Sequence, residues 1–358
     1  MIVCETCARF VEGTLGDCEV CCNAFARIPR IAEEIAERLK GYEFESFTVG
    51  SRLRGSAKTM FELLAAKGVD YDIKKVFNDA LADELSKLTG KRRSPNGDVQ
   101  VVVDLEDFSY ELFVKPVYLC GRYLKRVRNV SQTRWLCRAC NGKGCELCGY
   151  TGRRFATSVE ELIAEPVIRL FGAKDAILHG AGREDVDARM LGNGRPFVLE
   201  VVEPRRRFLD AKEVEKAINE SCGGKAVVRN LRFCGSGDVE RVKEERHLKL
   251  YRAKIVFSQP VSREKLEEAL EKLCGEIRQR TPRRVLHRRS DLLRVRKLHR
   301  AELLLCRGSV AVVTFLADAG LYIKELVSGD EGRTKPSLSE LLGVEARVEK
   351  LDVVAVYG

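Results

Sequence analysis

The segment best suited to chemistry runs from residue 179 to residue 197 and is dense in glycine, arginine and acid. It reads His-Gly-Ala-Gly-Arg-Glu-Asp-Val-Asp-Ala-Arg-Met-Leu-Gly-Asn-Gly-Arg-Pro-Phe. Glycines let a backbone pass close to a large ligand, and arginines bind phosphates through paired hydrogen bonds. A carboxylate held among such cations stays ionised. The composition favours nucleophilic chemistry on a nucleotide, and the alternative is an acidic turn in a glycine-rich loop.

Two groups of cysteines have the spacing of metal ligands. Each contains two Cys-x-x-Cys pairs, which is typical of a closed tetrahedral zinc site. The second group also resembles the Cys-x-x-Cys-x-Gly-x-Gly knuckles of zinc-binding chaperones. We expect two structural Zn²⁺ ions without a catalytic role, and the alternatives are unliganded thiols or a redox pair. The predicted ligands are Cys4, Cys7, Cys18 and Cys21 in the first tetrad and Cys137, Cys140, Cys145 and Cys148 in the second.

The remaining composition indicates where the protein works. We expect no disulfide framework, so the scattered cysteines are interpreted as packing residues. No apolar run approaches the roughly 20 residues of a membrane span, and the first residues resemble no export signal. We therefore expect a cytoplasmic protein. The scattered cysteines are Cys22, Cys120, Cys222, Cys234, Cys274 and Cys306.

Basic residues are concentrated in one stretch of the chain. Residues 278–300 hold ten Lys or Arg against one acid, Asp291, in a chain of formal net charge +10. Such a stretch attracts polyphosphates through counterion release. It would also suit the solvated face of a helix, and charge alone does not decide between these interpretations.

Periodicity predicts an α+β fold with a mixed or antiparallel sheet flanked by helices. Helical spacing covers residues 31–39 and 72–88, and Ser158 with Glu161 forms a capping box that starts a helix towards Phe171. Further helices begin near Asp210 and Ser262. Predicted strands cover residues 99–105, 112–118, 176–179, 197–202, 248–257, 310–315 and 351–356.

The N-terminal half resembles an RNA-binding domain. Residues 121–129, basic with an interleaved tyrosine, and the following Ser131-Gln132 look like part of a THUMP domain. That family binds the acceptor end of tRNA, and a basic strand end without a ligand is the alternative. The predicted organisation is a zinc module at 1–27, a THUMP-like domain at 28–130, a zinc-knuckle linker at 131–155 and a catalytic domain at 156–358.

The segment 179–197 resembles the active-site loop of pseudouridine synthases, where Gly-Arg-x-Asp carries the essential aspartate. The resemblance implies that Asp185 is catalytic and that Arg183 occupies the base-displacing position. Tyr251 matches the family's active-site tyrosine, and Lys324 matches the cation that pairs with the aspartate. The longer run is similar to an archaeal-type branch that modifies uridines 54 and 55 in the TΨC loop of tRNA.

The same resemblance implies the residues that contact the substrate. They lie in the glycine-rich loop, in the Gly-x-Tyr-Ile-Lys element and in the basic stretch, which we interpret as a phosphate track. They are Arg183, Arg189, Arg195, Tyr322, Ile323, Arg283, Arg284, Arg288 and Arg289.

The sequence therefore predicts a tRNA pseudouridine synthase, an isomerase that consumes no redox cofactor or nucleotide. A methyltransferase or sulfur transferase would need a cofactor loop. The stretch from Gly50 to Ser56 lacks the lysine of a phosphate-binding loop, and Gly235-Ser-Gly237 is too short for a dinucleotide motif. The remaining alternative is a non-catalytic, zinc-stabilised tRNA-binding or chaperone-like protein.

Overall fold

The structure is a computed structural model that describes residues 1–357, apart from the side chains of residues 56 and 288. The chain forms two compact units. Unit 1 comprises Met1–Val117, Leu170–Asp175 and Val201–Leu209, and unit 2 comprises Tyr118–Arg169, Ala176–Glu200 and the chain from Asp210 onwards. The domain bounds predicted at residues 27, 130 and 155 stay predictions. Among the described residues, every helix is too short or too polar to span a lipid bilayer.

Unit 1 combines helices with two small sheets. Its elements are β1 (Ile2–Val3), β2 (Thr14–Leu15), α1 (Ala24–Leu39), β3 (Ser46–Arg52), α2 (Gly55–Ala66), α3 (Ile73–Thr89), β4 (Arg92–Arg93), β5 (Val99–Asp104) and β6 (Tyr110–Val114). Strand β3 lies between β4 and β5 and is parallel to both, while β6 is antiparallel to β5. The short strands β1 and β2 form a separate parallel pair.

The helices of unit 1 follow their predicted apolar spacing. Ile28, Ile31 and Ile35 recur on one buried face of α1, so that face packs into the core. Helix α3 begins where the Asp72 carboxylate accepts a hydrogen bond from the Lys75 amide, and it ends at Gly90 with φ of 68°. Both predicted helices are confirmed.

The predicted strand 112–118 is wrong in one respect, because the structure breaks it between β6 and the following strand. The interruption contains Pro116. Proline has no amide hydrogen to donate, so it is unfavourable inside a paired strand.

Unit 2 is built around a large mixed sheet. The elements that lie wholly or largely in it are β7 (Val117–Lys125), α4 (Val159–Phe171), β8 (Asp175–Gly180), β9 (Arg189–Val202), α5 (Ala211–Ser221), β10 (Ala226–Cys234), α6 (Gly237–Glu244), β11 (Leu248–Phe257), α7 (Arg263–Leu273), β12 (Gly275–Arg280), β13 (Leu293–Arg307), β14 (Val310–Ala317), α8 (Ile323–Ser328), β15 (Thr334–Lys335), α9 (Leu338–Leu342) and β16 (Ala346–Tyr357). The strand order is β10-β7-β9-β16-β11-β14-β13-β12-β15, and β8 pairs with β9.

Of the two predicted alternatives, a mixed or an antiparallel sheet, the strand pairing shows the mixed one. Strand β11 is antiparallel to both β14 and β16, whereas β16 is parallel to β9, with Asp352 opposite Arg189. The parallel contact brings the loop that precedes β9 close to the central strands β16 and β11. The middle of the glycine-rich segment, residues 181–188, forms this loop.

Side-chain caps start the helices of unit 2 where the sequence predicts them. The Ser158 hydroxyl accepts a hydrogen bond from the Glu161 amide at 3.2 Å and donates one to the Glu161 carboxylate at 2.8 Å. Asp210 caps α5 and Ser262 caps α7 in the same manner, through amides two or three residues further on. The start of each of these helices is thus set by a side chain that lies next to it in the sequence.

The scattered cysteines differ from their predicted role at three positions. Cys120 on β7 and Cys234 on β10 are not simply packing residues, because their sulfurs form a disulfide. Antiparallel pairing of the two strands brings these cysteines together over 114 positions of sequence. Cys222 is buried as predicted, whereas Cys22 is exposed.

The basic stretch 278–300 forms a hairpin and not a helix face. It covers β12, a short 3-10 helix at Arg283–Arg288 and the start of β13, which is antiparallel to β12. Ile277 and Gln279 are buried while Arg278 and Arg280 are exposed, as the two-residue period of a strand requires. One face of the hairpin is therefore cationic.

Candidate active site

A cleft of ≈ 1360 Å³ opens in unit 2 where several distant segments meet. Its walls come from the loop between β8 and β9, the first half of β11, the turn between β12 and β13, and the start of α8. Asp185, Tyr251 and Lys324 all line it. The structure therefore brings together three residues that the sequence analysis selected from separate motifs.

Two cations hold the Asp185 carboxylate at the wall of this cleft. Arg284 donates a hydrogen bond from Nη1 to Asp185 Oδ1 at 2.9 Å, and Lys324 Nζ lies 3.4 Å from Oδ2. Burial by itself raises the pKa of Asp185, but the attraction of Arg284 and Lys324 outweighs it, so the pKa lies below its ordinary value. The carboxylate is therefore ionised at neutral pH.

Each cation also binds a second acid. The shortest contacts of Lys324 Nζ are with the two oxygens of Asp187, at 2.7 and 2.8 Å. Arg284 binds the buried Glu325 at 2.7 Å. Arg284, expected to contact substrate, is thus a direct partner of Asp185, and this partnership was not predicted. The three acids fix the two cations in place, so the charges around Asp185 are preorganised.

Tyr251 projects from β11 into the same cleft and is 9% exposed. Burial, more than any neighbouring charge, raises the pKa of its hydroxyl to about 12. The phenol is therefore neutral at physiological pH, and its ring offers an apolar surface on which a flat base could stack.

The loop that carries Asp185 is anchored by a buried ion pair. Glu184 Oε2 accepts a hydrogen bond from Arg195 Nε at 2.9 Å, and the two side chains are 0% and 1% exposed. Tyr123 donates its hydroxyl to the same carboxylate at 2.9 Å, and Gln132 bonds both Tyr123 Oη and the Gly182 carbonyl. Glu184 thus points inward while its neighbour Asp185 points into the cleft.

A buried lysine supports the same loop through its backbone. Lys125 is 0% exposed, and its Nζ donates to the carbonyls of Val130, Asp185 and Val186 at 2.7, 3.2 and 3.1 Å. Burial lowers the pKa of Lys125. Three acceptors compensate for removing the ammonium group from water, so Lys125 supports the loop that carries Asp185 from inside the protein.

These contacts correct the interpretation of residues 121–129 as an RNA-binding surface. Tyr123 and Lys125 are fully buried, Arg122 donates to the Gly194 and Val356 carbonyls, and Arg128 donates to Asp352. Ser131 and Gln132, which the resemblance grouped with them, are buried too. The polar groups that seemed available for phosphate are largely engaged within the protein.

Two predicted substrate contacts also have internal partners. Arg195 lines the cleft but is only 1% exposed and is paired with Glu184, so its guanidinium group is engaged within the protein. Arg189 Nε and Nη2 both donate to the Asp352 carboxylate at 2.8 Å. These are two of the guanidinium N–H groups that would otherwise bind a phosphate through paired hydrogen bonds. Both arginines instead fix the strand that follows the loop.

The other predicted contacts lie in or near the cleft. Arg183, Tyr322, Ile323 and Arg289 line it, and Arg183 and Arg289 are exposed. Arg283 lies outside the lining residues and pairs with Glu331. The prediction for Arg288 falls on a side chain outside the described residues.

The two cysteine tetrads have the geometry of metal sites. Within each, all four sulfurs lie within 4.8 Å of one another. An ion with Zn–S bonds of about 2.3 Å would separate tetrahedral ligands by about 3.8 Å. In the second tetrad the Sγ–Sγ distance is 3.9 Å for Cys137–Cys145 and for Cys140–Cys148, and 3.7 Å for Cys145–Cys148. In the first tetrad the sulfurs of Cys4 and Cys21 are 3.7 Å apart. Both tetrads could hold a metal ion.

The second tetrad is connected to the wall of the cleft. The chain segments that enter and leave this tetrad meet at a short stem, where the Arg154 amide donates a hydrogen bond to the Trp135 carbonyl at 2.9 Å. Trp135 and Phe155 pack edge to face at 5.5 Å and line the cleft. Gly144 and Gly152 have positive φ, and a side chain at either would collide with the facing backbone of the knuckle. The glycines thus permit the tight turns of the knuckle.

Sequence reasoning missed the supports of the loop more than its reactive groups. Tyr123 and Lys125 are two positions apart on a strand, so they share a face, and this spacing was the available signal. Nothing local indicated that their partners would be Glu184 and the Asp185 carbonyl, about 60 residues away in sequence. Such contacts exist only once β7 and the loop are in place.

Comparison with known proteins gives close relatives. A tRNA pseudouridine synthase Pus10 from Archaeoglobus fulgidus is 58% identical, over 99% of this chain and 100% of the relative. Proteins of the same name from Methanothrix thermoacetophila and Methanopyrus kandleri are each 46% identical. They match 97% and 94% of this chain, and 78% and 80% of the relatives.

A family model and a solved structure match parts of the chain. The model of the Pus10 C-terminal region matches residues 118–357, which contain every side chain of the cleft. A chain in the solved Cbf5-Nop10-Gar1 complex matches with a TM-score of 0.36 and 18% identity, over 55% of this chain and 45% of that one. A likeness of that extent carries no argument about function.

Proposed function

Because the chain belongs to the Pus10 family of pseudouridine synthases, we propose that it converts uridine to pseudouridine in tRNA with Asp185 as the catalytic carboxylate. The positions we propose are uridines 54 and 55 of the TΨC loop. The observation that carries the proposal is the ionised Asp185 carboxylate, 2.9 Å from Arg284 and 3.4 Å from Lys324 in a cleft that also contains Tyr251.

The reaction is an isomerisation in which every atom of the nucleotide is kept. The N1–C1′ bond breaks and its electron pair stays on the base. The base turns while bound, C5 forms a bond to C1′, the C5 proton is lost and N1 ends protonated. Asp185 drives the first cleavage by attack on C1′ or on the base, and the bond that its carboxylate forms breaks again before the product leaves, which regenerates the carboxylate. Arg284 and Lys324 keep it ionised for that step.

The target base has to leave its stack to reach the cleft, as bases do in other enzymes that act on them. The cleft volume of ≈ 1360 Å³ is ample for a nucleotide and part of its neighbours. Tyr251 would stack on the extruded uracil, while Tyr322 and Ile323 would contact it from the start of α8. The exposed arginines of the basic hairpin and Arg183 would bind RNA phosphates.

The cysteine tetrads would each hold one structural Zn²⁺ ion. Their sulfur spacing fits tetrahedral coordination, and four cysteine ligands leave no open position for water. The metal at the second tetrad would stabilise the stem that carries Trp135 to the cleft wall. The catalytic steps themselves use side chains of the protein and no bound cofactor.

The proposal is tested with the full chain and an unmodified tRNA transcript, by mapping pseudouridine at single-nucleotide resolution. Asp185→Asn should lose turnover while tRNA affinity stays within about twofold, because the carboxylate acts in the chemical step. Transcripts with cytidine at position 54 or 55 identify which uridine is modified.

A matched control is Asp187→Asn, which removes the same charge from the same loop without changing the Asp185 carboxylate. Its turnover should stay far above that of Asp185→Asn. Equal turnover of the Asp185→Asn variant and the unchanged protein would refute the assignment. Pseudouridine at other tRNA positions alone would refute the TΨC-loop proposal and leave the enzyme class intact.

A further inference from the structure

Lys249 is a buried lysine on the floor of the candidate active site. It is 8% exposed, lies on β11 two residues before Tyr251, and lines the same cleft. Side chains two positions apart on a strand point to the same side of the sheet. Lys249 and Tyr251 therefore present adjacent polar groups to whatever occupies the cleft.

The ammonium group of Lys249 lacks a compensating partner. Among the described residues, it takes part in neither a side-chain hydrogen bond nor an ion pair. The acid that attracts it, Glu184, is engaged by Arg195 and Tyr123. Burial and the repulsion of Arg195 lower the pKa of Lys249 to about 8. The fold therefore disfavours the charged form of Lys249, and a ligand in the cleft would supply the partner that the fold does not.

Lys125 shows what a structural buried lysine looks like in this protein. It donates to three backbone carbonyls, which compensate for its burial. Lys249 faces the cleft instead, and its Nζ would lie 3.2 Å from a Cβ atom built on Gly182 of the catalytic loop. The contrast indicates that the partner of Lys249 is a ligand and not part of the fold.

The chemistry of the proposed reaction identifies that partner. Uracil carries two carbonyl oxygens, which accept hydrogen bonds. When the N1–C1′ bond breaks, the electron pair left on the base spreads onto these oxygens, so negative charge develops there. A preorganised cation in a site with little water stabilises such charge strongly.

We propose that Lys249 is a catalytic residue that donates a hydrogen bond to a carbonyl oxygen of the extruded uracil and stabilises the anionic base after glycosidic cleavage. This inference rests on the proposed function of the cleft. Lys249 transfers no proton and no electrons in this role. The C5 proton is still lost and N1 still ends protonated, as in the overall isomerisation.

The test is Lys249→Met, which keeps the length of the side chain and removes its charge. Single-turnover formation of pseudouridine should slow by about 10²-fold, the usual effect of losing one such donor. Affinity for tRNA should stay within about twofold. The thermal midpoint should be equal to or higher than that of the unchanged protein, because the substitution removes a charge that the fold disfavours.

Lys254→Met is the matched control. It removes the same charge from the same strand, but Lys254 pairs with Glu349 and lies outside the cleft lining. Its single-turnover rate should equal that of the unchanged protein. A slow Lys249→Met variant that is also less stable, or that has only lost tRNA affinity, would overturn the proposal.

The pH profile provides a second readout that a structural role would not give. Lys249 is charged below a pKa of about 8, so kcat/KM should fall as pH rises through that value. Of the groups near it, Arg195 stays charged, Tyr251 has a pKa of about 12, and the pKa of Asp185 lies below its ordinary value. Glu184 pairs with Arg195, and the strand neighbours Ala317 and Val356 carry no charge. The end of α6 and the residues after it bring Lys243, Glu244, Glu245 and Arg246 to the same cleft, and His247, two residues before Lys249, pairs with Glu245.

Lys249→Arg should move this alkaline limb to higher pH while keeping more activity than Lys249→Met. An unchanged limb in either variant, or a wild-type rate for Lys249→Met, would overturn the role of Lys249. Absence of pseudouridine with the unchanged protein would instead overturn the proposed function itself, so the two failures are distinguishable.

Discussion

The ion pair between Glu184 and Arg195 offers the sharpest test of how the catalytic loop is held. Glu184→Gln removes the negative charge but keeps an oxygen that can accept the Tyr123 hydroxyl. Arg195, 1% exposed, is then left as a buried charge without a counter-ion. Burial alone lowers the pKa of Arg195, and the adjacent Glu184 charge raises it above its ordinary value.

The expected loss of stability follows from that geometry. Removing one partner of a fully buried pair costs about 3–5 kcal/mol, because the remaining charge stays desolvated. Replacing both partners, as in Glu184→Gln with Arg195→Met, should be less harmful than Glu184→Gln alone. We expect a coupling energy of about 2 kcal/mol between the two positions.

Guanidinium unfolding followed by tryptophan fluorescence measures these free energies. The chain has one tryptophan, Trp135, which lies in unit 2 and packs against Phe155. The control is Glu165→Gln, which breaks the exposed pair with Arg169 on α4 and should cost no more than about 0.5 kcal/mol. A loss below about 1 kcal/mol for Glu184→Gln would refute the reasoning that the buried pair anchors the loop.

Two further predictions concern the charge around Asp185 and the second cysteine tetrad. Lys324→Met removes one of the cations that lower the pKa of Asp185. The pKa should rise, so the acidic limb of the kcat/KM profile should move to higher pH. An unmoved limb would count against the pairing of Lys324 with Asp185. Cys140→Ser should reduce the zinc content in native mass spectrometry from two ions to one and change the fluorescence of Trp135, and retention of two ions would contradict the predicted ligand set.

Local patterns in the sequence predicted most of the elements of the fold. The helix at residues 72–88 was predicted from apolar spacing and the one after Ser158 from a capping box. In the structure, side chains of Asp72, Ser158, Asp210 and Ser262 cap helices through amides two or three residues further on. The cysteine spacing predicted both tetrads for a similar reason, because each knuckle is formed by a short piece of chain. The break at Pro116 shows the limit of such local patterns. The residues on both sides of Pro116 favour a strand, but proline has no amide hydrogen to donate to the neighbouring strand.

The candidate site was predictable only in part. Asp185, Tyr251 and Lys324 were selected because their motifs resemble those of pseudouridine synthases. The structure places all three in one cleft. The same reasoning assigned Arg195 and Arg189 to the substrate. Their actual partners, Glu184 and Asp352, depend on where β9 lies in the sheet, and composition carries no information about that.

By itself, therefore, the sequence determined the features set by neighbours along the chain: the helix caps, the metal-ligand spacing and the identity of the reactive side chains. Only the tertiary structure decided which charges face inward and which face the cleft. Glu184 and Asp185 are adjacent acids, yet one is buried against Arg195 and the other meets Arg284 and Lys324. The physical reason is that burial and electrostatic partners depend on how the fold places whole segments. Arg284 is 99 residues from Asp185 in sequence, and Arg195, only 11 residues from Glu184, reaches it from the strand that follows the loop, β9.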